Sequence, residues 1–367
     1  MASTETTAAT RLDDLRAWMA SSDVEAAYVT RPVSIAYLTG VQAEPYERLM
    51  ALAVRGDRVT LIVPAIEVEN AERAKTSADI VSWRDGEDPY RLVHRALHGT
   101  ARLGVEKEHL SVAAAEALRE RLGAHDLVDV AREIRRLRRT KSPTELEQLQ
   151  RAAAITDAAT EEILRSLRAG KTELEVAVAL GASIGAAGGT LAFETLVLSG
   201  PNSALPHGRP SGRRLGAGDL VLLDFGAAYE GYRADTTRVA VVGEPDTRQR
   251  EIHELVLTAH DAAIRAVRAG ATTGDVDSAA RDVIEAAGLG DQFFHRTGHG
   301  LGLETHEEPS LDPGSHTELD VGMVFTIEPG VYIPGWGGVR IEDDVVVEAD
   351  GCRLLTTAVR SLREVAP

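Results

Sequence analysis

Short apolar runs separated by turn residues mark the first third of the chain. Glu25-Ala-Ala-Tyr-Val-Thr30 reads as a strand. Met50-Ala-Leu-Ala-Val54, then Gly56-Asp57, then Val59-Thr-Leu-Ile-Val63 reads as a hairpin. Helical stretches at Ile66 to Lys75 and Ser111 to Leu122 alternate with these strands, which predicts a small mixed α/β domain. No reactive constellation stands out in it. The Arg-rich run from Arg132 to Lys141 reads as a solvated connector.

Beyond that run the helical period takes over. Ser142-Pro143-Thr144-Glu145 supplies a capping serine, a proline in the first turn and a glutamate three residues on, which together satisfy the free amides of a helix start. A helix follows to about Arg168. Thr172 with Glu175 repeats the signal and opens a helix to about Ala187, and apolar periodicity predicts two more over Arg248 to Val267 and Val276 to Ala287. Long β segments, Asp219 to Val242 and Gly322 to Val347, fill the spaces between. The expected organisation is an α/β domain over residues 1–138 and a second, α+β domain over 139–367.

The two β segments resemble each other. Gly218-Asp-Leu-Val-Leu-Leu-Asp224-Phe-Gly226 aligns without gaps on Gly322-Met-Val-Phe-Thr-Ile-Glu328-Pro-Gly330. Each strand ends in an acid, turns through a Tyr/Gly loop and returns with another carboxylate, Asp235 or Glu342. An internal duplication is the reading, and it brings four acids towards one place.

Composition narrows the function. The 367 residues suffice for about two domains. The net charge of −17 repels a phosphate backbone, so nucleic acid is not an expected partner. Cys352 is the single cysteine, which excludes an internal disulfide or a thiolate cage. Neither a signal-peptide pattern at Met1-Ala-Ser-Thr nor an apolar run of membrane-spanning length is present, so no membrane association and a cytoplasmic location are expected.

An acid at the end of a buried apolar strand costs several kcal/mol unless a cation meets it. For one hairpin, Asp before Gly is ordinary turn chemistry; the shared pattern argues for a bound cation instead. A nitrogen ligand is available in Gly298-His299-Gly300, where the flanking glycines permit close backbone approach. The glycine spacing there also touches on a dinucleotide loop, but no helix with a ribose-binding acid follows. One imidazole with four carboxylates suits Mn²⁺ or Co²⁺ better than a Cys/His zinc cage. Five ligands overfill one small ion but can share two through bridging carboxylates. Such pairs, about 4 Å apart, activate water and polarise a carbonyl.

Asp224, Asp235, His299, Glu328 and Glu342, with His207 in Leu-Pro-His-Gly208 and His306 downstream, resemble the ligand set and accessory histidines of the creatinase/aminopeptidase P/prolidase metallopeptidases. The Arg-Arg-Thr-Lys-Ser-Pro-x-Glu stretch, Gly-His-Gly-x-Gly-Leu-Glu, Glu-Pro-Gly and Gly338-Val-Arg-Ile-Glu-Asp343 extend the likeness over essentially the whole chain. It implies a creatinase-like N-terminal domain, a pita-bread catalytic domain of the methionine aminopeptidase type, a homodimer, and hydrolysis of the N-terminal Xaa-Pro bond of short peptides. It also implies roles: Asp224 on one metal, His299 and Glu328 on the other, Asp235 and Glu342 bridging, with Mn²⁺ or Co²⁺ expected and Zn²⁺ as a further alternative. Glu328 or a bridging neighbour would take the water proton. His207 and His306 would steady the substrate amide and the oxyanion. Arg340, two residues before Glu342 and on the same face, would orient Asp235 or bind a substrate carboxylate.

His295 is expected to be structural and His316 to lie on a surface loop. Short prolidases that resemble this chain often carry an arginine directly after the His-Glu-x-Pro stretch, where this chain has Ser310. Action on longer Xaa-Pro peptides is therefore expected to match dipeptidase action, unless another arginine supplies the charge. The alternatives within the same fold are a metal-free C–N hydrolase of the creatinase kind and a non-catalytic binding module; a filled set of five ligands argues against both.

Overall fold

In the computed structural model, which describes residues 2–367 with side chains from Ala8 onward, the chain divides between Arg138 and Arg139. The first unit starts with α1 (Ala2–Ser21), β1 (Ala26–Val29) and α2 (Pro32–Thr39). The hairpin β2 (Ala51–Arg55) and β3 (Arg58–Pro64) turns at Gly56, whose φ of 55° an L side chain resists. There follow α3 (Val68–Arg73), β4 (Asp79–Trp83), α4 (Tyr90–Leu97), β5 (Arg102–Val105), α5 (Val112–Leu122) and β6 (Asp126–Asp129). The strands form one sheet in the order β4-β3-β2-β1-β5-β6. Tyr28, Ile62 and Leu103 of the sheet share a buried cluster with Val93 of α4 and Leu118 of α5.

The Arg-rich run is not a solvated connector throughout. Most of it forms α6 (Ala131–Arg139), and both Arg138 and Lys141 are buried. Arg136 is exposed and pairs with Glu133, whereas Arg135 is partly buried and pairs with Glu108. Charge density along the sequence misses the buried pair because Lys141 finds its partner 166 residues away.

Four helices frame the second unit: α7 (Pro143–Ser166), α8 (Glu173–Ala186), α9 (Thr247–Ala266) and α10 (Thr273–Ala286). Capping boxes at Ser142 and Thr172 form both of their reciprocal bonds. Asp246 with Gln249 and Thr272 with Asp275 do the same, which is why α10 begins ahead of Val276. Between α8 and α9 lie β7 (Thr190–Leu191), β8 (Leu196–Ser199), β9 (Leu220–Phe225), β10 (Ala227–Tyr229), β11 (Tyr232–Arg233) and β12 (Thr236–Val242). After α10 come β13 (His299–Gly300), β14 (Glu307–Ser310), β15 (Val324–Ile327), β16 (Gly330–Ile333), β17 (Gly337–Arg340), β18 (Asp343–Glu348), β19 (Gly351–Leu354) and β20 (Arg363–Val365).

Strand alternation places helices on both faces of the β9/β12 ribbon. Val221, Leu223 and Phe225 pack with Ile163 of α7 and Leu180 of α8. Leu220, Leu222, Val239 and Val241 join the core that contains Val256 of α9 and Val276 of α10. An apolar ribbon buried on both faces leaves its strand-end acids away from bulk water. Among the described residues, no helix is long and apolar enough to cross a membrane.

Candidate active site

Register decides which side chains meet. Asp224 of β9 stands across from Thr237 of β12, and alternation puts Asp235 on the face of Thr237. In the second ribbon Ile327 pairs with Asp343 and Gly330 with Arg340, so the register between them sets Glu328 across from Glu342. A bridge between Thr237 and Glu342 joins the two ribbons. The internal likeness thus holds for Asp224 and Glu328 but shifts on the return strands. Glu342 occupies the place of Thr237, and Asp235 that of Arg340.

His299 enters from β13 at very close range. A Cβ on Gly298 would collide with the Thr326 carbonyl, and one on Gly300 with the backbone of Glu308. That closeness lets the His299 amide donate to Thr326 Oγ1 at 3.1 Å. Its Nε2 then lies 3.3 Å from Glu328 Oε1 and 3.8 Å from Asp235 Oδ2. Asp235, His299 and Glu342 each offer a ligand atom, all within 4.8 Å of one another. Asp344 supports the group from behind by accepting the Asp235 amide at 2.9 Å.

Arg340 is buried and spends its donors inside this wall. It donates to Asp224, to Thr237 Oγ1 at 2.8 Å and to the Tyr332 hydroxyl at 2.9 Å. Its Nε also lies 3.8 Å from Glu342 Oε2 and 3.9 Å from Glu328 Oε2. The expectation that it orients Asp235 is corrected here: it pairs with Asp224, because the register puts Asp235 in the corresponding place of the other ribbon. Nor does it offer a free fork to a substrate carboxylate.

Asp224, Glu328 and Glu342 lie within reach of one buried guanidinium and Asp235 of none among the described residues, and the titration of the four carboxylates reflects that shortage. Burial pushes Asp224 upward against the pull of Arg340. Asp235 and Glu342 are pushed well up by burial and then by neighbouring acids. Glu328 is raised to about 7, again mainly by burial. Burial and then His306 hold His299 well below the usual imidazole range, so it is neutral and can act as a ligand. Asp235 Oδ1 is buried with no hydrogen-bond partner among the described residues. An unpartnered acid oxygen in an oxygen-rich set short of positive charge fits divalent cations.

The acids line a cleft of about 870 Å³ together with His207, His306 and the apolar Phe193, Leu205 and Phe294. His207 and His306 are both exposed to it, and the His306 ring stands 4.1 Å from that of His299. His295 also borders the cleft, but its Nδ1 and Nε2 contact Arg296 O at 2.7 Å and the Tyr332 hydroxyl at 3.1 Å. His316 is exposed and outside this group.

Arg296 is the residue that sequence reasoning missed. Half-buried in the same cleft, it donates from Nη1 to Ser310 Oγ at 2.9 Å. It has no carboxylate within ion-pairing distance among the described residues. The pairing of His299 with Ser310 across β13 and β14 brings the two together, and that register has no local sequence signal.

Residues 147–349 match metallopeptidase family M24, and residues 11–140 match the creatinase/prolidase N-terminal domain. An Xaa-Pro dipeptidase of Lactobacillus helveticus is 39% identical over 360 residues, which cover 96% of this chain and 98% of the relative. The solved Xaa-Pro dipeptidase of Bacillus anthracis superposes with a TM-score of 0.92 at 34% identity, covering 98% of this chain and all of that one. The prolidase of Pyrococcus horikoshii OT3 gives 0.91 at 35% identity, covering 96% and 99%. The architecture is accordingly a creatinase-like α/β domain followed by a pita-bread domain with an internal repeat.

Proposed function

Since the chain belongs to metallopeptidase family M24, we propose that it is a dinuclear metal-dependent Xaa-Pro dipeptidase. The observation that carries the reading is the cluster of buried Asp224, Asp235, His299 and Glu342 with half-buried Glu328 beside them, and with Asp235 Oδ1 left unpartnered among the described residues. Asp224, Asp235, His299, Glu328 and Glu342 would together hold the ions, with carboxylates shared between them. A pair of divalent ions held there supplies acidification of water and polarisation of the scissile carbonyl. Oxygen donors in the majority favour Mn²⁺ or Co²⁺.

Within that frame the side chains divide the work. Glu328 takes the proton of the attacking water and returns it towards the proline nitrogen as the C–N bond breaks. His207 and His306, exposed to the cleft, donate hydrogen bonds to the substrate amide and to the oxyanion. Arg340 acts as a positioning residue by holding Asp224. Arg296, anchored by Ser310, meets the free carboxylate of the dipeptide, since a half-buried unpaired guanidinium is the matching receptor. That favours dipeptides, where Ser310 alone predicts comparable action on longer Xaa-Pro peptides. A homodimer in the cytoplasm completes the proposal, on the strength of the family resemblance.

The test is release of free proline from Xaa-Pro dipeptides, with Pro-Xaa and Xaa-Ala dipeptides as controls. Mn²⁺-loaded protein should cleave only the first set. Equal cleavage of Xaa-Ala would refute the proline preference.

A further inference from the structure

The Arg-Arg-Thr-Lys-Ser-Pro-Thr-Glu stretch that opens the second unit supplies no ligand and enters none of the roles above. Its Lys141 is nevertheless deeply placed. The side chain is 1% exposed, and Nζ lies 2.8 Å from Oε1 of Glu307, itself 4% exposed. Taking such a pair out of water costs several kcal/mol per ion, and an apolar pair of similar volume often serves stability as well. What the ion pair does fix is location. Glu307 directly follows His306, and its carboxylate packs against Gly302, where a Cβ would leave no room.

A second cation grips the same loop upstream of His306. The Arg233 amide donates to Gly302 O at 2.8 Å, its Nε to Leu303 O at 3.2 Å and its Nη1 to Thr305 Oγ1 at 3.2 Å. The neighbouring Tyr232 hydroxyl donates to Glu145 Oε1 at 3.0 Å, tying this grip back to the opening stretch. His306 itself is exposed to the cleft and makes no hydrogen bond to the described residues. Apart from its edge contact with the His299 ring, its place is therefore set by the backbone on either side.

We infer that Lys141 and Arg233 are positioning residues for His306, strapping the loop of residues 302–307 so that its imidazole is held over the cleft. The inference rests on the reading of His306 as a donor to the substrate. The Lys141–Glu307 pair fixes the loop after His306, and Arg233 fixes it before.

The test is a double-mutant cycle on the Mn²⁺-loaded enzyme with an Xaa-Pro dipeptide. Lys141→Met and Arg233→Gln should each lower kcat about 10- to 10²-fold, the cost of a misplaced group, while KM and bound metal stay unchanged. In a His306→Ala background neither should lower kcat further. Arg233→Lys should restore part of the loss. An unchanged kcat in both single variants, or the same fold-loss with His306 absent, would overturn the inference. If Lys141→Met does not fold, Arg233→Gln carries the cycle, because its side chain is only partly buried. A fully active His306→Ala would remove the donor role of His306 and the strap's purpose together, whereas a slow His306→Ala with additive losses sinks the strap alone.

Discussion

Replacing Arg296 by Gln tests substrate length at one atom group. The guanidinium is half-buried, and a unit charge about 4 Å from a substrate carboxylate at an effective dielectric near 20 gives about 4 kcal/mol before desolvation is charged against it. Hydrogen bonds to charged groups measured in proteins net about 1.5–3 kcal/mol, and that is the range to expect here. Since 1.4 kcal/mol is a factor of ten, kcat/KM for Xaa-Pro should fall roughly 10- to 150-fold. The Xaa-Pro amide presents a neutral group at the same place and should lose about fivefold or less, in line with a neutral hydrogen bond of about 1 kcal/mol. Ser310→Ala frees Nη1 without removing charge and should cost the dipeptide only about fivefold. The assay is initial-rate proline release for the acid and its amide, run side by side on each variant. A ratio of acid to amide that is the same in wild type and Arg296→Gln would refute the assignment.

Two further outcomes follow from the structure. His207→Ala should lower kcat about 10²- to 10³-fold with both metals retained, as removal of one oxyanion donor does; metal content by mass spectrometry checks it, and a parallel fall in metal would make His207 a ligand or a structural residue. His253, in α9, is held neutral by burial with its pKa lowered to about 4. Because that lies below the ordinary imidazole value, the unfolded chain takes up the proton first, so stability is complete above about pH 6.5 and is lost as pH falls towards 4, by roughly 2 kcal/mol between pH 7 and 5. His253→Leu should flatten that part of the pH dependence in urea melts, and parallel curves for the two proteins would contradict it.

What is legible in the sequence is local. Capping boxes at Ser142 and Thr172 place α7 and α8 to within about two residues, because a cap uses neighbours three positions apart. Strand-end acids and the Gly-His-Gly loop point to one cluster, because an acid that ends a buried apolar strand needs a positive charge beside it. Long-range partners stay hidden. Arg296 meets Ser310 only through the β13/β14 register, and Lys141 meets Glu307 only once the ends of a 166-residue separation have been brought together by the folding of the second unit. The shift that sets Asp235 in the place of Arg340 in the repeat is also invisible in an alignment of the outgoing strands, since the hairpin loops differ in length.

The central claim is that the buried acids hold a pair of divalent ions. Its most direct measurement is metal bound per chain after chelation and titration with Mn²⁺, followed by calorimetry together with the melting temperature. Two ions per chain are predicted in wild type, with a rise in melting temperature on binding and loss of at least one ion in Asp235→Asn. A chelated protein that binds no Mn²⁺, or that cleaves Xaa-Pro at the full rate while verified metal-free, would contradict the account.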